Sequence, residues 1–272
     1  MITADLHTHT HHSHGEDSPE AMLAAARARG IELYGFTEHS PRPLAYTYTR
    51  EYRDRLTAEF PLYVREVREL QARYPGQVLL GMEMDWFDKD VDFVTAACKA
   101  YDFDYLIGSV HFLDTWGYDD RQEDWISVRK AGQERFYAQY FAIMERMVRS
   151  RLFNIVAHMD LIKIFSVDTF RQWIARPESL ELVGGVMRAI KEMGMAMEIS
   201  SAGLRKPCAE VYPGPAIMGL ARDAGVDITF ASDAHNVRDV ASHFDQLEAY
   251  ARSYGFARSV WFCRGERHER PF

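Results

Sequence analysis

The chain has 272 residues, 47% hydrophobic and 13% aromatic, enough for a continuous buried core and too apolar for a disordered chain. Its 32 Lys and Arg against 40 Asp and Glu leave a formal charge of −8, the wrong sign for capturing nucleic acid by displacing counterions. The expected partner is a small molecule, with no nucleic acid and no membrane.

In chain order, the runs that read as strands are 2–6, 33–37, 78–84, 105–110, 154–157, 196–199, 228–231 and 260–263. Amphipathic segments intervene. Ser18 caps a first helix with Pro19 at its first position and Gly30 at its end. Further helices read over 131–150, 177–193 and 213–224, and the stretches 40–59 and 112–131 read as inserted loops that wall a pocket. Alternating units of this kind favour a parallel α/β sheet closed into a barrel, at a length such barrels reach as one domain over 1–272. Whether 260–263 closes the barrel or lies outside it is open in the sequence, and nothing in it bears on oligomeric state. Cys98, Cys208 and Cys263 form no Cys-x-x-Cys pair and read as reduced thiols. With no basic leader and no run of about 18 apolar residues, the expected location is cytoplasmic.

Seven of the 11 histidines stand where a strand gives way to a loop. In Asp5-Leu6-His7-Thr8-His9, strand alternation turns both imidazoles to one side. His39 ends Gly35-Phe36-Thr37-Glu38, and Glu83 lies within Leu79-Leu80-Gly81-Met82-Glu83. His111 follows Gly108-Ser109-Val110, His158 ends Ile155-Val156-Ala157, and Asp233-Ala234-His235 follows Ala231-Ser232. Loops at the carboxyl ends of barrel strands share one face, so these donors converge. Imidazoles with carboxylates suit Zn, Mn, Fe or Co.

These positions, with Ser13-His14-Gly15, resemble the PHP (polymerase and histidinol phosphatase) superfamily of metal-dependent phosphoesterases, over residues 2 to about 244. The resemblance implies a distorted (β/α)7 TIM-like barrel with two or three divalent metal ions (Mn, Zn or Fe) at the carboxyl ends of its strands. It implies one ion held by His7, His9, Glu83 and Asp233. Glu83 would bridge to a second, also held by His111 and His158, and His14, His39 and His235 would hold a third. His11, His12 and Asp17 stand close enough to compete with His14. His243, placed in a helix, and His268, in a charged tail, read as surface residues.

Three stretches resemble the histidinol-phosphate phosphatase branch: Ile107-Gly108-Ser109-Val110-His111-Phe112 with Trp116, His158-Met159-Asp160-Leu161-Ile162-Lys163, and Glu198-Ile199-Ser200-Ser201-Ala202-Gly203-Leu204-Arg205-Lys206-Pro207. They imply hydrolysis of L-histidinol phosphate to L-histidinol and phosphate in histidine biosynthesis. The attacking group would be a hydroxide bridging the metals, with Glu83, Asp233 and His235 at the reacting centre. Arg205 is the first candidate for a phosphate clamp, then Lys206 and Arg42. Asp160 and Glu198 are candidates to engage the substrate's amine or imidazole, or to orient ligands, and Trp116 to stack on the imidazole ring. Competing readings are a nucleotide or sugar phosphate as substrate, a nuclease acting on DNA ends, and a structural domain without metals.

Overall fold

The computed structural model describes Met1–Phe272. Seven strands form one parallel sheet in chain order: β1 (Ala4–Asp5), β2 (Leu33–Phe36), β3 (Val78–Asp85), β4 (Tyr105–Ser109), β5 (Ile155–Val156), β6 (Ala196–Ser200) and β7 (Asp227–Ala231). Backbone hydrogen bonds join the last strand to the first. Leu6 N donates to Phe230 O (3.1 Å), Asp233 N to His7 O (2.8 Å) and His9 N to Ala234 O (2.8 Å). The sheet is therefore a nearly closed (β/α)7 barrel.

Strands covered on both faces read as near-continuous apolar runs, and all eight residues of β3 are buried, including Glu83 and Asp85 at its carboxyl end. The barrel interior is filled by Leu6, Leu33, Leu79, Tyr105, Ile107, Ile155 and neighbours. Tyr105 reaches across it to donate its hydroxyl to Leu6 O at 2.6 Å. It passes over Gly35, where a Cβ would lie 1.8 Å from the Tyr105 hydroxyl oxygen, so glycine there is a packing requirement.

Around the sheet lie α1 (Pro19–Ala28), α2 (Arg50–Arg73), α3 (Val91–Cys98), α4 (Lys130–Arg149), α5 (Val167–Ile174), α6 (Pro177–Met193), α7 (Pro215–Ala224) and α8 (Phe244–Ser253). Ser18 caps α1 by accepting from Ala21 N at 3.2 Å, as expected. His243 is not inside a helix but precedes α8 with φ 58°, a turn conformation. Half of the first inserted stretch is the start of α2; the second holds a short hairpin (Phe112–Leu113 with Trp116–Gly117) and a helical turn, Glu123–Ile126.

The run 260–263 lies outside the barrel. It belongs to β8 (Arg258–Cys263), paired antiparallel with β9 (Glu266–Pro271). Val260 and Phe262 turn inward to join the barrel interior, while Arg258 and Glu269 pair across the strands at 3.0 Å near the exposed open end of the hairpin. The charged tail thus becomes a strand because its alternation matches a half-exposed hairpin, and His268 stacks on Trp261 at 4.3 Å. No helix is long and apolar enough to cross a membrane.

Candidate metal centre

Side chains from the carboxyl ends of β1, β2, β3, β4, β5 and β7 meet around Glu83. Its two oxygens face different partners. Oε2 lies 3.4 Å from His7 Nε2, 3.5 Å from His9 Nε2 and 2.8 Å from His39 Nδ1. Oε1 lies 2.9 Å from His158 Nε2 and 3.7 Å from His111 Nε2. Asp233 Oδ1 closes the first set, 3.3 Å from His9 Nε2 and 4.0 Å from His7 Nε2. Asp233 itself sits at φ 49°, a left-handed conformation that turns its carboxylate back toward β1.

His7 Nε2 and His9 Nε2 face each other at 3.1 Å. His7 Nδ1 is held by Glu198 Oε2 at 2.7 Å, so in the neutral ring Nε2 presents a lone pair. Buried Glu83 Oε2 and His235 Nε2 have no hydrogen-bond partner of good geometry, despite the imidazoles close to the carboxylate. Ligands about 2.0–2.2 Å from one ion stand about 3–3.5 Å apart, close to the spacings within each set. The donor types and the orphaned lone pairs both fit divalent cations.

Carboxylates behind the ring fix imidazole orientation. Glu198 Oε2 holds His7, and its Oε1 accepts from His158 N at 3.2 Å. Asp85 Oδ1 holds His111 Nδ1 in a very short contact. Glu38 Oε2 lies 3.7 Å from His9 Nδ1, and its Oε1 accepts from Thr10 N and Oγ1. Such partners set the tautomer that leaves the other nitrogen free to ligate. Sequence reasoning missed Asp85 and Glu38, although Asp85 is two residues from Glu83 on β3 and so shares its face.

The charges are poised around this arrangement. Burial alone would push the Glu83 carboxyl up, but the imidazoles of His7, His39 and His111 and the hydrogen bond with His158 hold it well below the usual range. Asp233 is likewise held well down against its burial, by His7, His9 and His235. Burial opposes a charge on His111, yet Asp85 and Glu83 raise it to about 9; His9 rises to about 8 against burial, through Asp233 and Glu38. His235 falls to about 3, through burial and then the neighbouring His9, and His39 also falls well below its ordinary value for the same causes. Protons on His111 and within the His7–His9 pair therefore balance the buried carboxylates when no cation does. Divalent ions must displace them. Metal loading near pH 7 is expected to release protons and to weaken as pH falls. Calorimetric titration in two buffers of different ionisation enthalpy measures the count; a count of zero would remove this account.

His14 is at the exposed rim. Its ring centroid lies 4.1 Å from that of His235 and 5.0 Å from that of His39, with Nδ1 on the Tyr52 hydroxyl at 3.0 Å. The tighter trio of ligating atoms is His9, His39 and His235. Asp17 does not compete, because its Oδ2 accepts from Val237 N at 2.8 Å.

The cluster floors a cavity of about 350 Å³ whose walls include Arg42, Tyr48, Tyr52, Asp119, Asp120, Lys206 and Tyr212. A larger cavity of about 850 Å³ lies at the opposite end of the barrel, beside β8, and none of the clusters of ligating side chains lies on its walls. Several candidate substrate contacts stand elsewhere. Arg205 does not line the metal cavity: Nη1 donates to Ser242 Oγ (2.7 Å) and Ser201 Oγ (3.3 Å), Nη2 to the carbonyls of Ser232 (2.7 Å) and Asp233 (3.2 Å). It anchors the loop carrying Asp233, and Lys206 takes the cavity wall. Asp160 is buried behind the wall, its Oδ2 accepting from Lys163 Nζ and Gly214 N, each at 2.8 Å. Trp116 packs on Trp125 and Phe136, because burying a large indole outweighs leaving it in a wet cavity. Glu198 touches His7 and His158. Arg42 does reach the cavity, with Nε on Asp85 Oδ2 at 2.7 Å and a buried, unpartnered Nη1.

A PHP domain profile matches residues 5–202, ending before Asp233 and His235. The chain is similar to the probable histidinol-phosphatase of Deinococcus radiodurans, 32% identical with 95% of each chain covered. It is also similar to the histidinol-phosphatase of Bacillus subtilis, 29% identical over 90% of this chain and 98% of that one. The crystal structure of histidinol phosphate phosphatase from Lactococcus lactis, complexed with Zn, L-histidinol and phosphate, shares the fold with a TM-score of 0.76. It is 20% identical, with 98% of each chain covered.

Proposed function

The chain belongs to the PHP domain family, and from that membership we propose that it is a divalent-metal-dependent phosphomonoesterase hydrolysing L-histidinol phosphate to L-histidinol and phosphate. The observation that carries this reading is the division of Glu83, one oxygen toward His7, His9 and His39 and the other toward His111 and His158, at the floor of a cavity with cationic and acidic walls. His7, His9, Glu83 and Asp233 would hold one ion, and Glu83, His111 and His158 a second. His39 and His235, with His9 or His14, would hold a third; Zn, Mn and Fe all suit the donors.

When bound, such ions supply positive charge to the phosphoryl oxygens and acidify water for attack. The chain's own residues bind and orient. Lys206 and the free Nη1 of Arg42 meet the phosphate, and Asp119 and Asp120, on the same cavity wall as Tyr48, offer carboxylates to the substrate's ammonium. Asp119 Oδ1 is fixed by the Tyr48 hydroxyl at 2.7 Å. Glu198, Asp85 and Glu38 hold the imidazoles, and Arg205 holds the strand-end carbonyls beside Asp233. This division suits a zwitterionic phosphate ester better than a nucleic acid, whose phosphates the acidic rim would repel. Three unpaired cysteines accord with a cytoplasmic setting.

The deciding experiment strips the metals, restores Mn, Zn or Fe singly, and follows phosphate release from L-histidinol phosphate beside nucleotides and sugar phosphates. Histidinol phosphate is expected to be preferred by at least about tenfold in kcat/KM, the worth of one buried ionic contact. Equal rates on sugar phosphates would move the substrate elsewhere within the family.

A further inference from the structure

Beyond the cavity, the loop that follows His9 carries a second group of ligating side chains. His12 is 6% exposed, and its ring nitrogens face two carboxylates of α2: Nδ1 lies 2.9 Å from Glu59 Oε2 and Nε2 lies 3.0 Å from Glu66 Oε2. Glu59 and Glu66 are seven residues apart, two turns along one helical face. The His11 ring lies 4.4 Å from that of His12, and ligating atoms of His11, His12 and Glu66 lie within 4.8 Å of one another. Arg55, on the same helix, is directed to the His11 carbonyl at 2.5 Å.

A neutral imidazole has one N–H. It can satisfy one of these carboxylates, leaving a ring lone pair about 3 Å from the oxygen of the other. Around this buried ring, two acceptors at that distance call for a proton or a metal cation between them, and the nearby His11 ring supplies the further donor that a metal would use. An N to O separation of 3.0 Å is what two ligands about 2.0–2.2 Å from one ion adopt. Glu59 on Nδ1 would then play the part that Glu198 plays for His7, fixing the tautomer that frees Nε2.

We propose that His11, His12 and Glu66 form a peripheral site for a borderline divalent cation of the Zn2+ class, oriented by Glu59 and separate from the cavity cluster. A cation there fastens residues 10–15 to α2. That segment starts beside His9 and carries His14, so the site steadies the approach to the cavity without touching it.

The test uses the full chain, stripped and reloaded with Zn2+, then desalted, with metal content measured by mass spectrometry for the wild type, Glu66→Gln and His12→Gln. Co2+ titration followed by visible absorption gives a second readout. Glu66 is about one-third exposed, so Glu66→Gln tests the site even where His12→Gln impairs folding. The expected result is one fewer retained equivalent in Glu66→Gln, at least a tenfold weaker tightest peripheral Co2+ step, and phosphatase turnover preserved when the cavity metals are saturated. Equal metal content and identical Co2+ spectra in wild type and Glu66→Gln would overturn the proposal, leaving His12 bridged by protons alone. Because metal content is read independently of turnover, the proposal stands or falls whatever the substrate proves to be.

Discussion

Replacing Glu83 with alanine is expected to lower metal-dependent phosphate release by more than about a thousandfold, beyond the loss from deleting one transition-state hydrogen bond. The reason is its position between two sets of donors. Oε2 serves His7, His9 and His39, and Oε1 serves His111 and His158, so a single truncation removes the shared anion from both. The remaining imidazoles then face one another in a buried space with less negative charge to offset a cation. Metal content after reloading should fall together with turnover. Folding should persist, because β3 pairs with β2 and β4 through its backbone. Retained metal-dependent activity at normal metal content would sink the central role of Glu83.

Most of this centre was legible in the sequence because two regularities act together. Strand alternation aims His7 and His9 to one side, and a parallel barrel delivers the carboxyl ends of all its strands to one face. Residues on strand ends were therefore placed by periodicity. Contacts made by irregular turns were not. Arg205 and Lys206 are adjacent at the end of a short helical turn after β6, and a rotation of one residue decides which enters the cavity. Arg205 turned toward four oxygen partners around Ser232 and Asp233. Asp119 and Asp120 sit in a loop with no repeating pattern, so nothing in the sequence set them apart from other acidic surface residues. Trp116 shows a competition the sequence cannot decide: an aromatic near a site is drawn either to substrate or to core, and here Trp125 and Phe136 supplied the core. The C-terminal hairpin escaped notice because charged alternation in β9 resembles a solvated tail until Val260 and Phe262 are seen filling the barrel.

The second large effect is expected at Asp85, where stability and metal affinity can be separated. Burial pushes this carboxyl up, but Arg42 and His111 outweigh it and hold it below its ordinary value. Its Oδ2 accepts from Arg42 Nε at 2.7 Å while Oδ1 holds His111 Nδ1. Arg42 is nearly buried, stacked over Tyr48 at 4.8 Å and Phe112 at 5.1 Å. Asp85→Ala should cost about 3–5 kcal/mol, because a buried guanidinium loses its counter-charge, and should weaken metal binding about 10–100-fold, because His111 loses its orienting partner. Adding Arg42→Met should recover most of the stability, since an apolar pair of similar volume often replaces a buried ion pair without loss. It should not recover metal affinity, because nothing returns a carboxylate to His111 Nδ1. Denaturant midpoints and metal titrations on the two variants measure the effects separately. Recovery of both by the double variant would mean that Asp85 serves the cluster only by neutralising the buried Arg42, and that the His111 tautomer is set by something else.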